Sequence, residues 1–550
     1  MHPFRLAVPL LLLACSVTEA SAQQVAVRGT VRDSASNEPI PFAVVEIAGS
    51  ARRFTANDRG TYSIDELAEG RWRLVAHAPG YSSAEAVVVV TADDLADIEL
   101  DFVLRVGAFE LEGILVQGAR APRPVAEAPI GAPPQVIDEA RISAVPVAFE
   151  PDVLRVVQTL PSVAAASDFS SALYVRGATP DQTVVLLDGT PIFNPYHFAG
   201  LFSAIDVGLV DNVTAHVGPT TAALGDRLAA TIEIESKAPP IVSTRGWGNV
   251  GLVSTNAGVA GPLADGGYTV AARHTYIDLI TGAAHELGLM KFAFPYGFTD
   301  LYGHVRHPLV GGELRVSGYY NNEHVSPPGE EVPGLELEFD WGTGAASAIW
   351  EGILGPSVSM RGGVGFSSFT GEFLGRETDV DRPPFIDATL INRMVRPSVD
   401  FLWLAGGQDV RFGAAAELYE FGYRMSTTEE GFDIIFPELD TSSSLATVSA
   451  HVEMEWSSGV DTQWRVGLRA LAANGAGLAL MPRIGWSRDV GAHWSIFAAA
   501  GRKAQAVRSM RSEEAVTSSL FAYDVLAPAD RLAVGDELAA GFEWQPRPTT

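Results

Sequence analysis

The chain has 550 residues, a formal net charge of −28 and aromatic residues at 9%. Its length predicts two or three domains, and its apolar content excludes an intrinsically disordered protein. The acidic charge would repel phosphate backbones, so we expect no nucleic-acid partner. A solvated acidic surface is the plainest interpretation of that charge.

Residues 1–22 have the features of a secretory signal peptide. Arg5 precedes an apolar run over residues 6–14, and the small residues 20–22 offer a cleavage site before Gln23. A competing cleavage before Cys15 would resemble a lipoprotein site. Cys15 is the only cysteine, so cleavage after Ala22 excludes disulfide scaffolds, thiolate metal sites and cysteine nucleophiles. Beyond the signal, no apolar run approaches the roughly 18 residues of a membrane-spanning helix.

Residues 23–107 are predicted to form a β-sandwich, because short strand-like runs alternate with turn residues such as Asn57-Asp58-Arg59-Gly60. The residues at 27–31, 39–45, 57–62 and 76–81 resemble the carboxypeptidase regulatory-like (transthyretin-like) domain. Elsewhere that domain follows a zinc peptidase, so peptidase chemistry has to be considered. No HxxE or HExxH motif is present, and the pair His285-Glu286 has no second histidine at helical spacing.

A strand-like piece at residues 109–118 is followed by a segment, 119–134, with five prolines and five alanines. The second segment predicts an extended, semi-rigid linker. The first segment is open to two interpretations. It could be the last strand of the sandwich, or an isolated strand with a function of its own.

Residues 135–240 are predicted to form an α+β domain. Pro151 and Asp152 suit the first turn of a helix, which Pro161 ends. Strands follow in LYVRG, TVVLLDG and TPIF, with the turn dipeptide Asp188-Gly189 between the last two.

These motifs, in this order, resemble the plug domain of TonB-dependent outer-membrane receptors. The match rests on the sequences at 173–177, 188–191, 194–197 and 225–236, and the threonine-rich stretch before Gly225 departs from the family's usual aromatic. The residues of the matching motifs are Arg176, Gly177, Asp188, Gly189, Pro191, Gly225 and Arg227.

The resemblance assigns roles to several of these residues. Arg176 and Arg227 would pair with carboxylates on the barrel wall, whereas the alternative is that both are solvated. Tyr196 and His197 would contact substrate at the outer loops of the plug, although a lone histidine is more often structural.

By the same resemblance, the segment 108–134 would hold the TonB box and its linker. The box residues are Leu111, Glu112, Gly113, Ile114, Leu115 and Val116. An exposed strand there would pair edge-on with a periplasmic energy transducer of the TonB type.

Residues 241–550 are predicted to form an antiparallel transmembrane β-barrel. In 447–456, Val448, Val452 and Trp456 fall on one face, and His451 and Glu453 fall on the other. Strands of about ten residues with one apolar and one polar face suit a wall between lipid and a wet lumen. A large soluble β-sandwich also alternates, and is the competing interpretation. Trp456, Trp464 and Trp494 are candidates for an interfacial girdle.

The barrel is expected to be incomplete. At about 24 residues per strand and loop, residues 241–550 supply roughly 13 strands, whereas receptors of this kind close at about 22. Strand edges with unpaired backbone groups would cost too much free energy in lipid. Residues 545–550 also lack the pattern of a final strand that ends in an aromatic residue. We therefore expect the chain to be a C-terminally truncated fragment.

The expected fold is thus mainly β, with a sandwich, an α+β plug and part of a barrel in the outer membrane of a Gram-negative-type bacterium. The expected function is import of a small or oligomeric nutrient, with energy coupled from the inner membrane and the N-terminal domain in the periplasm. A surface binding or adhesion barrel without transport is the alternative. The sequence shows no catalytic, cofactor or metal constellation, so we expect no enzymatic activity. The expected partners are the periplasmic transducer, the nutrient and outer-membrane lipid.

Overall fold

A computed structural model of the chain describes residues 25–34, 37–47, 53–67, 70–78, 81–82, 84–90, 98–106, 134–145, 150–165, 171–197, 200, 202–291, 293–326, 334–377, 384–405, 408–427, 438–459, 461–491, 494–509 and 526–544. These residues fall into two compact units, on either side of residue 113. No helix in the described ranges combines the length and the apolar character needed to cross a membrane.

The first unit is a β-sandwich, as predicted. Its strands are β1 (Val25–Asp33), β2 (Val44–Ile47), β3 (Arg53–Thr55), β4 (Thr61–Leu67), β5 (Gly70–His77), β6 (Tyr81–Ser82), β7 (Ala84–Val90), β8 (Ile98–Glu99) and β9 (Phe102–Val106). One sheet has the order β4-β1-β9-β6 with β8 beside β1, and the other has the order β3-β2-β5-β7. Buried residues of both sheets, such as Val31, Tyr62, Val45 and Leu74, form one core.

The second unit begins with the plug domain. Its strands and helices are β10 (Gln135–Asp138), α1 (Glu139–Ala144), α2 (Val153–Gln158), β11 (Val163–Ala164), β12 (Tyr174–Val175), β13 (Thr183–Leu187), β14 (Thr190–Pro191), β15 (Tyr196–His197), β16 (Phe202–Ser203), β17 (Val210–Val217) and β18 (Ala230–Ser236). A mixed sheet has the order β10-β17-β18-β13-β14, in which only β13 and β18 are parallel.

Local chemistry explains where these elements start and turn. The carboxylate of Asp152 caps α2 by accepting from the amides of Leu154 and Arg155 at 2.8 and 2.9 Å. Asp188 and Gly189 have φ of 48° and 80°, the positive values of a type I′ turn, and so join β13 to β14. The buried face of α2 packs into the core under the sheet.

The remaining chain forms a fourteen-stranded antiparallel sheet, which we call the wall. Its elements are β19 (Arg245–Val250), β20 (Ser254–Leu263), β21 (Gly266–Thr275), α3 (Ile277–Glu286), β22 (Tyr296–Pro308), β23 (Gly312–Val325), β24 (Leu335–Gly355), β25 (Val358–Glu377), β26 (Ile386–Ala405), β27 (Gln408–Thr427), β28 (Leu439–Ser457), β29 (Thr462–Ala473), β30 (Gly477–Val490), β31 (Trp494–Ser509) and β32 (Leu526–Trp544). The strands pair in chain order from β19 to β32. The sequence estimate of roughly 13 strands was one too low.

The two edges of the wall differ in their connections. On one edge, neighbouring strands are joined by 2 to 4 residues, for example 264–265 and 491–493; on the other, connections reach 20 residues, at 276–295, where α3 lies. Outer-membrane barrels have short periplasmic turns and longer extracellular loops. The edge with the short turns is therefore the periplasmic side of the wall.

The outer face of the wall is apolar, and its inner face carries many polar side chains beside a buried aromatic cluster. On β28, the side chains of Val448 and Val452 are exposed, while those of Ser449, His451 and Glu453 are buried. This is the reverse of a soluble sandwich, whose buried face is the apolar one, and it confirms the transmembrane interpretation.

Tryptophans mark the periplasmic side. Eight of the ten lie within five residues of a strand end on the short-turn edge: Trp247, Trp350, Trp403, Trp456, Trp464, Trp486, Trp494 and Trp544. Several of their rings contact one another across neighbouring strands, at centroid distances of 6.1 to 6.4 Å. Such a belt is typical of side chains at a membrane interface.

Candidate functional site

The candidate site is the contact between the plug domain and the inner face of the wall. Its first part surrounds His197 of β15, whose side chain is completely buried. The imidazole Nε2 lies 2.9 Å from Asp300 Oδ1, and Nδ1 lies 3.0 Å from Glu323 Oε1. Phe298 stacks on the ring at a centroid distance of 4.0 Å. His197 therefore links the plug to two neighbouring wall strands, β22 and β23.

The charges around His197 determine its protonation. Burial by itself would lower the pKa of His197, but the carboxylates of Asp300 and Glu323 outweigh burial and raise the pKa to about 9. Near neutral pH the imidazole is therefore a cation between two anions.

Arg273 of β21 connects this cluster to the rest of the plug. Its Nε donates to Asp300 Oδ2 at 2.7 Å, and its Nη2 donates to the carbonyl of Ser203 at 3.0 Å. Its Nη1 lies 3.3 Å from Glu150, just ahead of α2. One wall guanidinium therefore binds two separate segments of the plug.

A second part of the contact is the hairpin at Asp188. Tyr302 of β22 donates its hydroxyl to Asp188 Oδ2 at 3.1 Å, and the hydroxyl of Ser236 donates to Asp188 Oδ1 at 2.9 Å. Further along, Ser367 donates to the carbonyl of Pro191. The motif around Asp188, Gly189 and Pro191 thus lies against the wall.

The third part lies on β28 to β31, opposite the loop of residues 218–229, which we call the covering loop. Asp226 of this loop accepts two hydrogen bonds from Arg469, from Nε at 2.9 Å and from Nη2 at 2.5 Å. Arg469 lowers the pKa of Asp226, although burial alone would raise it. Glu453 accepts from the hydroxyl of Thr221 at 2.8 Å and from the amide of Ala222 at 2.6 Å.

The two predicted arginine anchors have different environments. Arg176 lies in a turn with Gly177, is exposed, and forms no ion pair with any residue that the structure describes. Arg227 lies at the wall beside Tyr419 and Glu417; burial would lower its pKa, but these two groups raise it. Within the described part of the chain Arg176 therefore has no carboxylate partner on the wall, the pairing of Arg227 with a wall carboxylate stays a prediction, and Asp226 makes a tight charge pair at the covering loop.

The predicted substrate contact at His197 requires correction. Its ring is enclosed by Asp300, Glu323 and Phe298, so a solute above the plug cannot touch it in this structure. Tyr196 is partly exposed, and its contact with substrate stays a prediction. The TonB box, residues 111–116, lies outside the described residues.

The wall partners of the plug were not predicted. Asp300, Glu323 and Arg469 are among many polar residues on the lumen-facing side of alternating strands, and strand periodicity alone does not tell which of them meets the plug. Among the residues described, no cluster of three or more His, Cys, Asp or Glu side chains is placed to hold a metal ion.

Comparison with known families agrees with this arrangement. Residues 26–105 match the carboxypeptidase regulatory-like domain, and residues 130–231 match the TonB-dependent receptor plug domain. The chain is a TonB-dependent receptor. As a receptor of this family it is not an enzyme. The chain matches no curated protein in sequence.

Solved structures show the same fold at low sequence identity. The siderophore receptor PirA from Pseudomonas aeruginosa is 15% identical, with a TM-score of 0.52 over 76% of this chain and 72% of that one. PirA from Acinetobacter baumannii is 14% identical, with a TM-score of 0.51 over 75% and 68%. The copper transporter OprC is 13% identical, with a TM-score of 0.53 over 78% and 71%. At these identities the likeness concerns the fold of the receptor.

Proposed function

We propose that this receptor imports a nutrient across the outer membrane, with energy delivered from the inner membrane. A periplasmic transducer of the TonB type would pair with residues 111–116 by β-augmentation and pull through the linker. The N-terminal sandwich would lie in the periplasm, next to that partner.

The observation that carries this proposal is the chemistry of the plug contact. Among the described residues, the wall adds four buried side chains to the plug's apolar core, Ala271, Tyr302, Tyr319 and Ala345, and partly buried Trp247 packs against it. Many of the described contacts are hydrogen bonds and ion pairs, such as His197–Asp300 and Asp226–Arg469. A protein hydrogen bond contributes only about 0.5–1.5 kcal/mol net, because water replaces it when it breaks. A polar contact of this kind holds a plug in place and still permits its displacement.

The related structures suggest which solutes to test first. Two of them are described as siderophore receptors and one as a copper transporter. Ferric siderophores and copper are therefore the first probes, before glycans or peptides.

The test deletes residues 111–116 from the receptor expressed from its own gene. The matched control deletes six linker residues, 119–124, which shortens the tether equally and leaves the box intact. We expect the box deletion to abolish uptake of radiolabelled ferric siderophore or copper while surface binding persists, and the control to retain uptake.

Two outcomes would reject the proposal. Uptake that survives the box deletion, in a receptor still folded in the membrane, would exclude energy coupling through this segment. Binding without uptake by the unaltered receptor would favour the surface binding or adhesion barrel.

A further inference from the structure

Three cations on neighbouring wall strands face the plug. Arg469 lies on β29, Arg483 on β30 and Lys503 on β31, and all three are almost fully buried. Arg483 pairs in register with Gly467 and with Gly501, which are each two residues from Arg469 and Lys503. Residues two apart share a face of a strand. Because β29 and β31 both run antiparallel to β30, Arg469 and Lys503 are offset from Arg483 in the same direction, each diagonally by about 7–8 Å, and the three side chains form a triangular cluster.

Most of the oxygen atoms that this cluster binds belong to the covering loop, and Ser449 and Glu537 of the wall supply the others. Arg469 binds the carboxylate of Asp226 and donates from Nη1 to the carbonyl of Ala223 at 3.0 Å. Arg483 donates to the carbonyls of Thr220 and Thr221. Lys503 donates to the carbonyl of Ala229 at 3.0 Å. The loop thus presents to the wall the atoms that an oxyanion would present.

The hydrogen-bond donors of this cluster are only partly used. Arg483 has no carboxylate within 4 Å in the described part of the chain, and its Nε and Nη2 have no acceptor there. Glu453 is held by Thr221 and Ala222, and Glu537 lies 3.2 Å from Lys503. Burying a guanidinium without an anion costs free energy. The unused Nε and Nη2 donors of Arg483 are therefore available to bind an anion.

The covering loop is shaped around Arg483. A Cβ added to Gly225 would lie 2.2 Å from Arg483 Nη2, so a glycine at this position permits the close approach. The loop also borders a small cavity lined by Asp226, Arg227, Arg396 and Glu417, among others.

We propose that Arg469, Arg483 and Lys503 form an oxyanion-binding site, which the covering loop occupies at rest and an anionic solute occupies during passage. Displacement of the loop removes the carboxylate of Asp226 from Arg469 and the carbonyls of Thr220 and Thr221 from Arg483. A solute bearing carboxylate, catecholate or phosphate oxygens then restores the lost contacts. This inference rests on the proposed import function for its physiological role, and it assigns the nutrient to the oxyanion-bearing class.

The test removes the carboxylate of Asp226 from the loop and supplies sulfate as a replacement anion. Asp226→Asn keeps the size of the side chain and removes its charge. The variant and the unaltered receptor are melted in detergent micelles, in sodium chloride and in sodium sulfate at equal ionic strength. We expect Asp226→Asn to melt lower than the unaltered receptor in chloride, and sulfate to restore most of the loss.

Two controls separate site binding from general salt effects. Asp536→Asn removes an exposed carboxylate that pairs with Arg502 at 2.7 Å, and should show neither the loss nor the recovery. The double variant Asp226→Asn, Arg483→Gln should show the loss without the recovery. Equal sulfate responses in Asp226→Asn, the double variant and the unaltered receptor would overturn the proposal.

If Asp226→Asn does not assemble in chloride, its yield of folded barrel in sulfate becomes the measurement. Assembly in sulfate alone, abolished by Arg483→Gln, supports the site, and assembly in neither salt overturns it. Because no step of this test involves uptake or the TonB box, failure of the import function leaves its result unaffected, and the converse also holds.

Discussion

Replacing His197 by glutamine should loosen the plug and remove a pH response. His197→Gln removes the cation that lies between Asp300 and Glu323, 2.9 and 3.0 Å away. Glutamine keeps hydrogen-bonding atoms near both carboxylates but carries no charge. Asp300 would then keep Arg273 as a buried positive partner, whereas Glu323 would keep the hydrogen bond from the hydroxyl of Tyr296.

The expected loss of stability follows from the pKa shift of His197. The pKa of His197 rises from its usual value near 6.5 to about 9, and each unit corresponds to about 1.4 kcal/mol. The protonated histidine therefore stabilises the bound plug by roughly 3 kcal/mol, similar to the roughly 3–5 kcal/mol lost when one partner of a buried ion pair is removed.

The sign of the pH dependence follows from the direction of the shift. Because the pKa is higher in the bound plug than in the unfolded chain, the stabilisation is complete below about pH 6.5. It is lost as the pH rises from there through about 9. The unaltered receptor should therefore release its plug more easily at pH 9.5 than at pH 6.5, and His197→Gln should show almost no such difference.

The assay is urea unfolding of the plug, followed by a fluorescent label on it, at several pH values between 6 and 10. His324→Gln is the matched control, because His324 pairs with Asp340 at 2.8 Å on the wall, where both side chains are nearly half exposed. Exposed pairs contribute only about 0–1 kcal/mol. The reasoning is refuted if the urea midpoint and pH slope of His197→Gln equal those of the control.

Three further outcomes can be checked directly. Asp152→Ala should destabilise the plug by about 1–3 kcal/mol in denaturant titrations, because it uncaps α2 and leaves the buried amide of Ser203, now bound at 2.7 Å, without its acceptor. Val448→Arg places a charge on the lipid side of the wall and should destabilise the folded barrel by about 2–4 kcal/mol, which would be seen as a smaller folded fraction on unboiled gels. An unchanged folded fraction would refute the assigned outer face. Leu74→Ala should cost the sandwich about 2–5 kcal/mol in thermal unfolding, while Val87→Ala on the exposed face should cost far less.

Local sequence signals predicted the local structure well. The dipeptide Asp188-Gly189 gave the correct turn because few residues accept positive φ at both positions. Asp152 and Pro161 bracketed α2, which runs from Val153 to Gln158. Alternation along β28 predicted which side chains face outward, because the period of a strand is fixed at two residues.

The contact between plug and wall could not be predicted in the same way. Asp226 and Arg469 are 243 residues apart, and no local pattern relates them. The family resemblance suggested arginines on the plug and carboxylates on the wall, whereas this pair has the opposite polarity. Strand periodicity predicts that the side chain of Arg469 faces the lumen. It does not predict which plug residue lies opposite Arg469, because the position of the plug inside the sheet depends on the whole fold.

Many wall side chains bind the plug through its main chain. Tyr319, Thr343 and Lys503 donate to the backbone carbonyls of Ala204, Asn194 and Ala229. A carbonyl is the same for every amino acid, so these contacts do not depend on the plug side chains at those positions. At these three positions the plug can therefore change in sequence without loss of the wall contact, and a plug from a related receptor should keep these contacts wherever the backbone path is the same.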